Sequence, residues 1–584
     1  MTNKFAALMA LFLFLMTDFI ANAQTFEGQI VDTKGGPVPN ATLYIRETAH
    51  GIMADDNGRF QVKLPEGNYS CEVSSLGYER KMLNINISAD GLKLNIELTE
   101  KTYSLKEVIV TQNKEDPAYR VMRNVIARAP YYYRQVKSYE SSLYVKGSFK
   151  IEHLPWLLRK AAGKDMEKLI GQLLLYESQS EIKYTEPDRY EQRTMAVKST
   201  IPPEFKVTND MTASALLNNI YHPNAFGGLF ATGSFSLYKF KMEDLYSENG
   251  HTVWKIRVIP RKKNGTLVSG TIYIIEDVWA VQIADLTRQE SGLTTGFKMY
   301  YNEVKPDVWL PVSYDFNIEA DVIGVRGNGK FFSSVKYKSL ETNSYTAPNK
   351  ANKPNKANEL DSTQTQTAKK TSGDEKQKNK VMKQLEELYA KENLTTRDAY
   401  KMAKLMDKVV ESEAVKQQKR SLEIPSRDSI IITTRDSLAF KRDSTFWSHT
   451  RTVPLGIDEL RSYIKRDSLN LKKDSIRRAD SLERRSHPVA KRIANILLGE
   501  TVKIDSSKLT FRYDGILGCI QGFNFVDGFS LGQSFDLRLK IGEHNLLAIS
   551  PAISYAIARK ALIHNLNCSL EYAPMNFGKL NFSL

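Results

Sequence analysis

The closing stretch of the chain constrains its fold most. In "SFDLRLKIGEHNLLAISPAISYAIARKALIHNLNCSLEYAPMNFGKLNFSL", Phe535, Leu537, Leu539 and Ile541 alternate with Ser534, Asp536, Arg538 and Lys540. That is the period of two that an extended backbone imposes on its side chains. Ile549, Ile553, Tyr555 and Ile557, then Leu566, Cys568, Leu570 and Tyr572, extend the apolar face, and Ser550, Ser554, Asn565, Asn567, Ser569 and Glu571 extend the polar one. Something has to bury the apolar face. Past the N-terminus there is no apolar run of roughly 18 residues, so no helix is expected to span a membrane. A chain that enters lipid without such a helix must enter as strands that satisfy one another's backbone groups. Strands of about ten residues, apolar outward and polar inward, fit a transmembrane barrel. A soluble sandwich alternates in the same way and is the alternative.

The first residues indicate the compartment. "MTNKFAALMALFLFLMTDFIANAQ" has Lys4 at a short basic start, an apolar core from Phe5 to Met16 and an Ala21-Asn22-Ala23 cleavage site, the three parts of a secretory signal peptide. No Cys follows that site, so a lipid anchor is not expected. Cys71, Cys519 and Cys568 are far apart and odd in number; they form neither a zinc pair nor a disulfide framework and read as small buried hydrophobes. The formal charge is +15, but residues 346–500 hold 33 Lys and Arg against 22 Asp and Glu. Most of the excess therefore sits in one polar stretch, a solvated linker with some attraction to anionic head groups, and an exported chain has little nucleic acid to meet.

After the signal, "DTKGGPVPN", "DDNGRF" and "LPEGNY" separate "FEGQIV", "ATLYI", "FQVKL" and "YSCEVSSLGY". Evenly spaced short strands with Gly, Pro and Asn punctuation predict a small antiparallel sandwich burying Ile30, Leu43, Ile45, Phe60, Val62 and Val73 and folding alone. "GQIVDTKGGPVPNATLYI" with "GIMADDNGRFQVKLPEGNYSCEVSSLGY" resembles the carboxypeptidase-regulatory-like domain, a transthyretin-like sandwich that often opens outer-membrane proteins of Gram-negative bacteria. A metallocarboxypeptidase would need His-x-x-Glu and a further His, and none of the eight histidines has Glu three residues later. Asp55, Asp56, Asn57 and Gly58 read as a tight hairpin turn rather than a calcium loop. "SLKEVIVTQ" resembles the segment before the plug of TonB-dependent transporters. In place of a plug the chain continues with an amphipathic helix (Ala118, Val121, Met122, Val125, Ile126) and an aromatic strand. This resembles exported proteins that join such a regulatory domain to a domain of unknown function.

Residues 138–345 read as consecutive hairpins; Val253, Lys255 and Arg257 alternate with Trp254, Ile256 and Val258. "WKIRVIP…GTIYIIEDVWAVQIADL" is similar to the curved half-barrel sheets of periplasmic lipoprotein carriers, which implies a concave apolar surface for an acyl chain or a partner strand. A sheet packed on its own helices, such as the one around "HLPWLLRKAAGKDMEKLIGQLLL", is the preferred reading. Glu276, Asp277 and Asp285 read as solvated strand ends. Residues 346–377 have the composition of a disordered linker, and Leu385, Leu388, Leu405, Met406 and Val409 mark two amphipathic surface helices. An R-D-S or K-D-S triplet recurs at Arg427, Arg435, Arg442, Arg466 and Lys473. "GFNFVDGFSLG" resembles the entry strand of outer-membrane barrels of the assembly-factor and surface-antigen type. With about four strands counted where a barrel takes about eight, and Leu580, Phe582 and Leu584 still in phase, the sequence reads as a fragment in preference to a barrel closed by oligomerisation.

The expected fold is mainly β, in six parts. These are a signal peptide (1–23), a regulatory-like sandwich (24–100), a connector with an amphipathic helix (101–137), a strand-rich periplasmic α+β domain (138–345), a charged linker with helices and R-D-S repeats (346–500) and the first strands of an outer-membrane barrel (501–584). The expected function is a non-enzymatic outer-membrane protein with periplasmic binding or scaffolding domains, in envelope assembly or transport. The alternatives are a truncated TonB-dependent-transporter-like component and a hydrolase hidden in the middle region. No catalytic, cofactor-binding or metal residues are expected and no cofactor. The expected partners are outer-membrane lipid and, beyond it, envelope proteins or lipid and lipoprotein ligands, with no nucleic acid.

Overall fold

The computed structural model describes residues 23–101, 115–156, 169–201, 219–343, 374–418, 430–479 and 500–583, short gaps within these spans aside. The signal peptide, "SLKEVIVTQ", most of the 157–168 segment and the linker to residue 373 lie outside the described residues. Two compact units form, one from Met1–Lys101 with Asp443–Pro454, the other from Thr102–Arg442 with Leu455–Leu584.

The first unit is a sandwich. Strands β1 (Gln24–Asp32), β4 (Arg59–Leu64) and β7 (Leu92–Leu98) make one sheet in the order β4-β1-β7, with β1 and β7 parallel. Strands β2 (Thr42–Ile45), β3 (His50–Met53), β5 (Gly67–Ser74) and β6 (Lys81–Ile87) make the other, in the order β3-β2-β5-β6. Ile30, Leu43, Ile45, Phe60, Val62 and Val73 are all buried, and Cys71 packs among them. The Asp55–Gly58 stretch is a turn. Asp55 Oδ1 accepts the Asn57 and Arg59 amides at 2.9 and 2.8 Å, and Gly58 sits at φ +71° with its missing Cβ against the Ile30 carbonyl, a place only glycine fits without strain.

A distant segment completes this unit. Asp443 caps the short helix Ser444–Thr450 by accepting the Phe446 amide at 2.8 Å, and Trp447 on that helix is fully buried. The chain then runs along the edge strand β4, where the Gln61 amide donates to the Thr452 carbonyl at 2.9 Å and the Gln61 side chain to Arg451. An open strand edge is thereby partly covered. The sandwich read as independent from residues 24–98 alone is therefore finished by residues some 350 positions away. The Arg442-Asp443-Ser444 triplet supplies a helix cap, since a short side-chain acceptor at Asp443 satisfies an orphan amide.

In the second unit, helix α1 (Ala118–Arg134) leads into β8 (Val136–His153), β9 (Leu173–Thr185), β10 (Arg189–Ser199), β11 (Tyr238–Glu248), β12 (His251–Pro260), β13 (Val268–Ile275), β14 (Ala280–Glu290), β15 (Leu293–Lys305), β16 (Val308–Val322) and β17 (Val325–Thr342). Strands β11 to β17 pair in sequence order; β17 then pairs with β8, β8 with β9 and β9 with β10, all antiparallel. Helix α1 carries apolar residues at positions 118, 121, 122, 125, 126 and 129, and all of them are buried.

Helices α2 (Asp374–Tyr389) and α3 (Thr396–Gln418) were expected on the surface. Instead Leu385, Leu388, Met402, Leu405 and Met406 join one core with Val121, Met122 and Val125 of α1 and with Phe240, Ile256, Ile272 and Phe297 of the sheet. Helix α1 thus lies between sheet and helices, its apolar stripe buried and its Asn124 and Arg128 buried with it. The stretch read as a charged linker also contributes β18 (Ile430–Arg435), parallel to β10, and helix α4 (Ile457–Ala479), docked on β9.

The last strands form a separate sheet of seven, not about four. They are β19 (Glu500–Ile504), β20 (Leu509–Tyr513), β21 (Ile520–Asn524), β22 (Gly528–Ile541), β23 (Asn545–Ala556), β24 (Ala561–Ala573) and β25 (Gly578–Ser583). The order is β19-β20-β22-β23-β24-β25, with β21 also on β22.

Candidate functional site

Two places stand out, an aromatic cavity beside the curved sheet and the bare face of the last sheet. The cavity lies where the C-terminal turn of α1, "PYYYR", meets β8, β9 and β10. Directly opposite residues on an antiparallel pair share a face. Tyr139 faces Tyr184 and Tyr184 faces Tyr190, giving a ladder of rings 5.1 and 4.9 Å apart. Tyr132, Tyr133, Tyr314, Tyr337 and Trp309 close a cavity of about 40 Å³, room for a few waters. Trp309, which lines the cavity, has its Nε1 buried with no hydrogen-bond acceptor in the protein, an uncommon state for a buried donor.

At the edge of this cavity the Tyr133 hydroxyl donates to Asp188, which sits at φ +52° in the β9–β10 turn. His222 Nε2 lies 3.9 Å from the same carboxylate oxygen, and its ring is edge-on to Tyr133. Burial, together with the Asp188 charge, holds the Tyr133 phenol well above its ordinary value, and burial does the same to Tyr139 and Tyr190. Neighbouring Glu186 is pushed up by burial as well, against the hydrogen bond it accepts from Asn343. These phenols therefore stay protonated and cannot serve as bases near neutral pH. The carrier resemblance implied an open concave face, whereas α1, α2 and α3 pack against the sheet in one core, with this small polar-edged cavity beside it.

Charges on α1 are handled by aromatic rings. Arg120 lies 5.1 Å from the Trp254 ring and 5.6 Å from Trp279, and bonds Glu276 at 3.0 Å. Arg128, two turns further along the same helix, lies between Trp279 and Tyr389 and donates to Asn124 at 2.8 Å. Burial lowers the Arg128 guanidinium from its ordinary value. Rings and amides accept a desolvated cation where water cannot. Of the carboxylates singled out in the sequence, Glu276 serves this seam, Asp277 lies 3.9 Å from His251 at a turn and Asp285 lies 3.8 Å from Lys298. Each has a different partner, and the structure does not bring the three together. Among the described residues no group of three or more His, Cys, Asp or Glu is placed to hold a metal ion.

On the last sheet the register sorts the side chains. Leu537 faces Ile549 and Phe511, and Ile549 faces Cys568; Leu539 faces Leu547 and Leu509, and Leu547 faces Leu570; Leu531 faces Tyr555, and Tyr555 faces Leu562. One side of the sheet is thus largely apolar, with Gln533 and His564 on either side of Ile553, and on it Leu531, Phe535, Ile553, Tyr555, Leu562 and Phe582 are exposed. On the other side Asp536 pairs with Arg538 at 2.8 Å and accepts the Ser550 hydroxyl. There Gly532 lets the Ile553 carbonyl approach to where a Cβ would stand. Cys568 is half-buried on the apolar face, Cys71 is buried in the sandwich and Cys519 lies outside the described residues.

Fold and sites together define a mainly β protein of modular build, with a regulatory-type sandwich, a helix-packed curved sheet and a sheet with one bare apolar face. The comparisons give the family. Residues 26–110 match the CarboxypepD_reg-like domain, residues 121–338 the family of unknown function DUF5686 and residues 494–584 the C-terminal domain of that same family. The chain belongs to the DUF5686 family and carries an N-terminal CarboxypepD_reg-like domain.

Among curated proteins it resembles the TonB-dependent receptor SusC of Bacteroides thetaiotaomicron, 32% identical over 98 residues, which is 17% of this chain and 9% of the receptor. Among solved structures, an outer membrane lipoprotein-sorting protein domain from Vibrio parahaemolyticus is 11% identical over 38% of this chain and 91% of its own, with a TM-score of 0.15. A membrane-associated protein of unknown function from Bacteroides fragilis is 10% identical over 56% of this chain and 99% of its own, with a TM-score of 0.12. No function passes from either at those scores.

Proposed function

We propose that this is a non-enzymatic protein of the outer membrane, in which the last sheet enters lipid and carries the sandwich and the curved-sheet domain as binding or scaffolding modules in the periplasm. The observation that carries this reading is the largely apolar, partly exposed face of β20, β22, β23 and β24 backed by a polar face. Water does not tolerate a contiguous apolar surface of that kind unless a partner covers it, and hydrocarbon covers strands with this alternation without further devices. The N-terminal signal pattern and the family's regulatory-type domain agree with export. The scattered carboxylates, each with its own partner, and the protonated phenols support a reading without an assembled catalytic set among the described residues.

The test is fractionation. The mature chain is expected to sediment with outer membranes and to stay there through high salt and alkaline carbonate, because inserted strands are not held by screened charge. Release by salt alone overturns the reading.

A further inference from the structure

Helix α4 is held to the curved sheet by one side only. The Tyr463 hydroxyl donates to Glu177 at 2.7 Å, a wholly buried carboxylate that also takes the Tyr144 hydroxyl. Lys146 reaches Glu459 at 2.6 Å, and the Ser462 hydroxyl donates to the Leu173 carbonyl at 2.8 Å. Residues 459, 462 and 463 share one face of a helix. On the opposite face Ile457, Leu460 and Ile464 are 73, 50 and 56% exposed. Spacing of i, i+3 and i+7 is the apolar stripe that a helix normally buries, and here the protein covers the other side instead.

What lies beside the stripe narrows the partner. Arg461 and Lys465 are exposed next to it, and residues 461–478 hold seven Lys and Arg against two Asp. Trp156, 73% exposed, follows the end of β8. Leu173, which anchors Ser462, pairs with Lys150 in the half of β8 that leads to Trp156. An apolar stripe with a basic flank and an exposed indole is the arrangement that binds in the plane of an anionic lipid surface. The first strand of the lipid-facing sheet begins at Glu500, soon after α4 in the chain.

We infer that this end of the curved sheet rests on an anionic phospholipid surface, with Ile457, Leu460, Ile464 and Trp156 at head-group depth and Arg461 and Lys465 beside the phosphates. The inference deepens the membrane reading above and rests on it for the source of the lipid.

The experiment uses the full chain with Cys71, Cys519 and Cys568 replaced by Ala and one environment-sensitive fluorophore on a new cysteine, from Leu460→Cys, Leu562→Cys or, as control, Lys305→Cys. The proteins are reconstituted in phosphatidylcholine bilayers with and without phosphatidylglycerol, with bromine placed shallow or deep in the acyl chains. The label at 460 is expected to shift to the blue and to be quenched by shallow bromine only when phosphatidylglycerol is present, and to lose that quenching as salt rises. The label at 562 is quenched by deep bromine in both lipids, and the label at 305 in neither. Adding Ile457→Ser and Ile464→Ser is expected to abolish quenching at 460 and leave 562 unchanged. Quenching at 562 without quenching at 460 overturns the α4 inference and leaves the sheet reading standing. Quenching at 460 alone does the reverse, and quenching at neither overturns both.

Discussion

The sandwich and the last sheet are written in the same alternating pattern and end in opposite surroundings. In the sandwich Ile30, Leu43 and Phe60 are 0, 0 and 1% exposed, whereas in the last sheet Ile553, Leu562 and Phe582 are 53, 67 and 58% exposed. Both have strands whose apolar residues share a face. The first has a second sheet of the same chain to cover that face, and among the described residues the second has none. Period two therefore assigns a face but not its cover, and the cover decides whether a substitution acts through packing or through lipid.

The sharpest way to break the comparison is thiol chemistry, because each region has a cysteine on its apolar face. Burial pushes the Cys71 thiol up to about 12. Folding thus favours the neutral thiol, and the reactive thiolate appears only as pH approaches that value. At pH 8 alkylation of Cys71 is expected to run roughly a thousandfold slower than for an ordinary thiol of pKa about 8.5, and to recover on unfolding. Cys568 is expected to react with a water-soluble maleimide in the absence of lipid and to be protected once the sheet is in a bilayer. Mass spectrometry of the labelled peptides reads both.

Phe60→Ala comes next. Its ring packs edge-on against Phe26 at 5.0 Å in a closed core, and the truncation is expected to cost about 3–5 kcal/mol in denaturant unfolding of the sandwich. Trp447→Ala is expected to cost about 3 kcal/mol in the same transition, although it lies far away in sequence. An unchanged midpoint would show that the sandwich stands without its strap. Leu562→Arg is expected to cost about 2–4 kcal/mol in lipid if that position lies near the midplane, read as the yield of folded protein in bilayers, and much less in detergent-free water, where the residue is already exposed. The smallest effect is on the polar side of the same sheet. Arg538→Ser removes one exposed ion pair and is expected to stay within about 0.5 kcal/mol; a cost as large as that of Leu562→Arg would mean that the faces are assigned the wrong way round.

Much of the fold was legible where a local rule governs it. Ile30, Leu43, Phe60 and Val73 announce themselves by alternation between turns, and the Asp55–Gly58 turn by residues that tolerate its backbone. Helix α1 was legible by its stripe. The placement of α2 and α3 was not. Leu385, Leu388, Leu405 and Met406 give an amphipathic helix the same signature whether it lies on a surface or closes a core, and what they cover, α1, is more than 250 residues earlier. The cavity was missed because its tyrosines come from eight separate stretches of chain, and no spacing connects Tyr133 with Asp188 and His222.

By itself the sequence determined the class of most elements, the apolar face of most strands and the modular character of the N-terminal domain, because side-chain period and turn chemistry are properties of neighbours along the chain. Only the tertiary structure decided that residues 443–454 finish the sandwich, that three helices pack against the curved sheet in one core, and that α4 turns one apolar stripe away from the protein. These outcomes depend on which distant surfaces meet. The gain from burying an apolar face is much the same against any apolar partner of the right shape, so the pattern that creates the face carries no address for what will cover it.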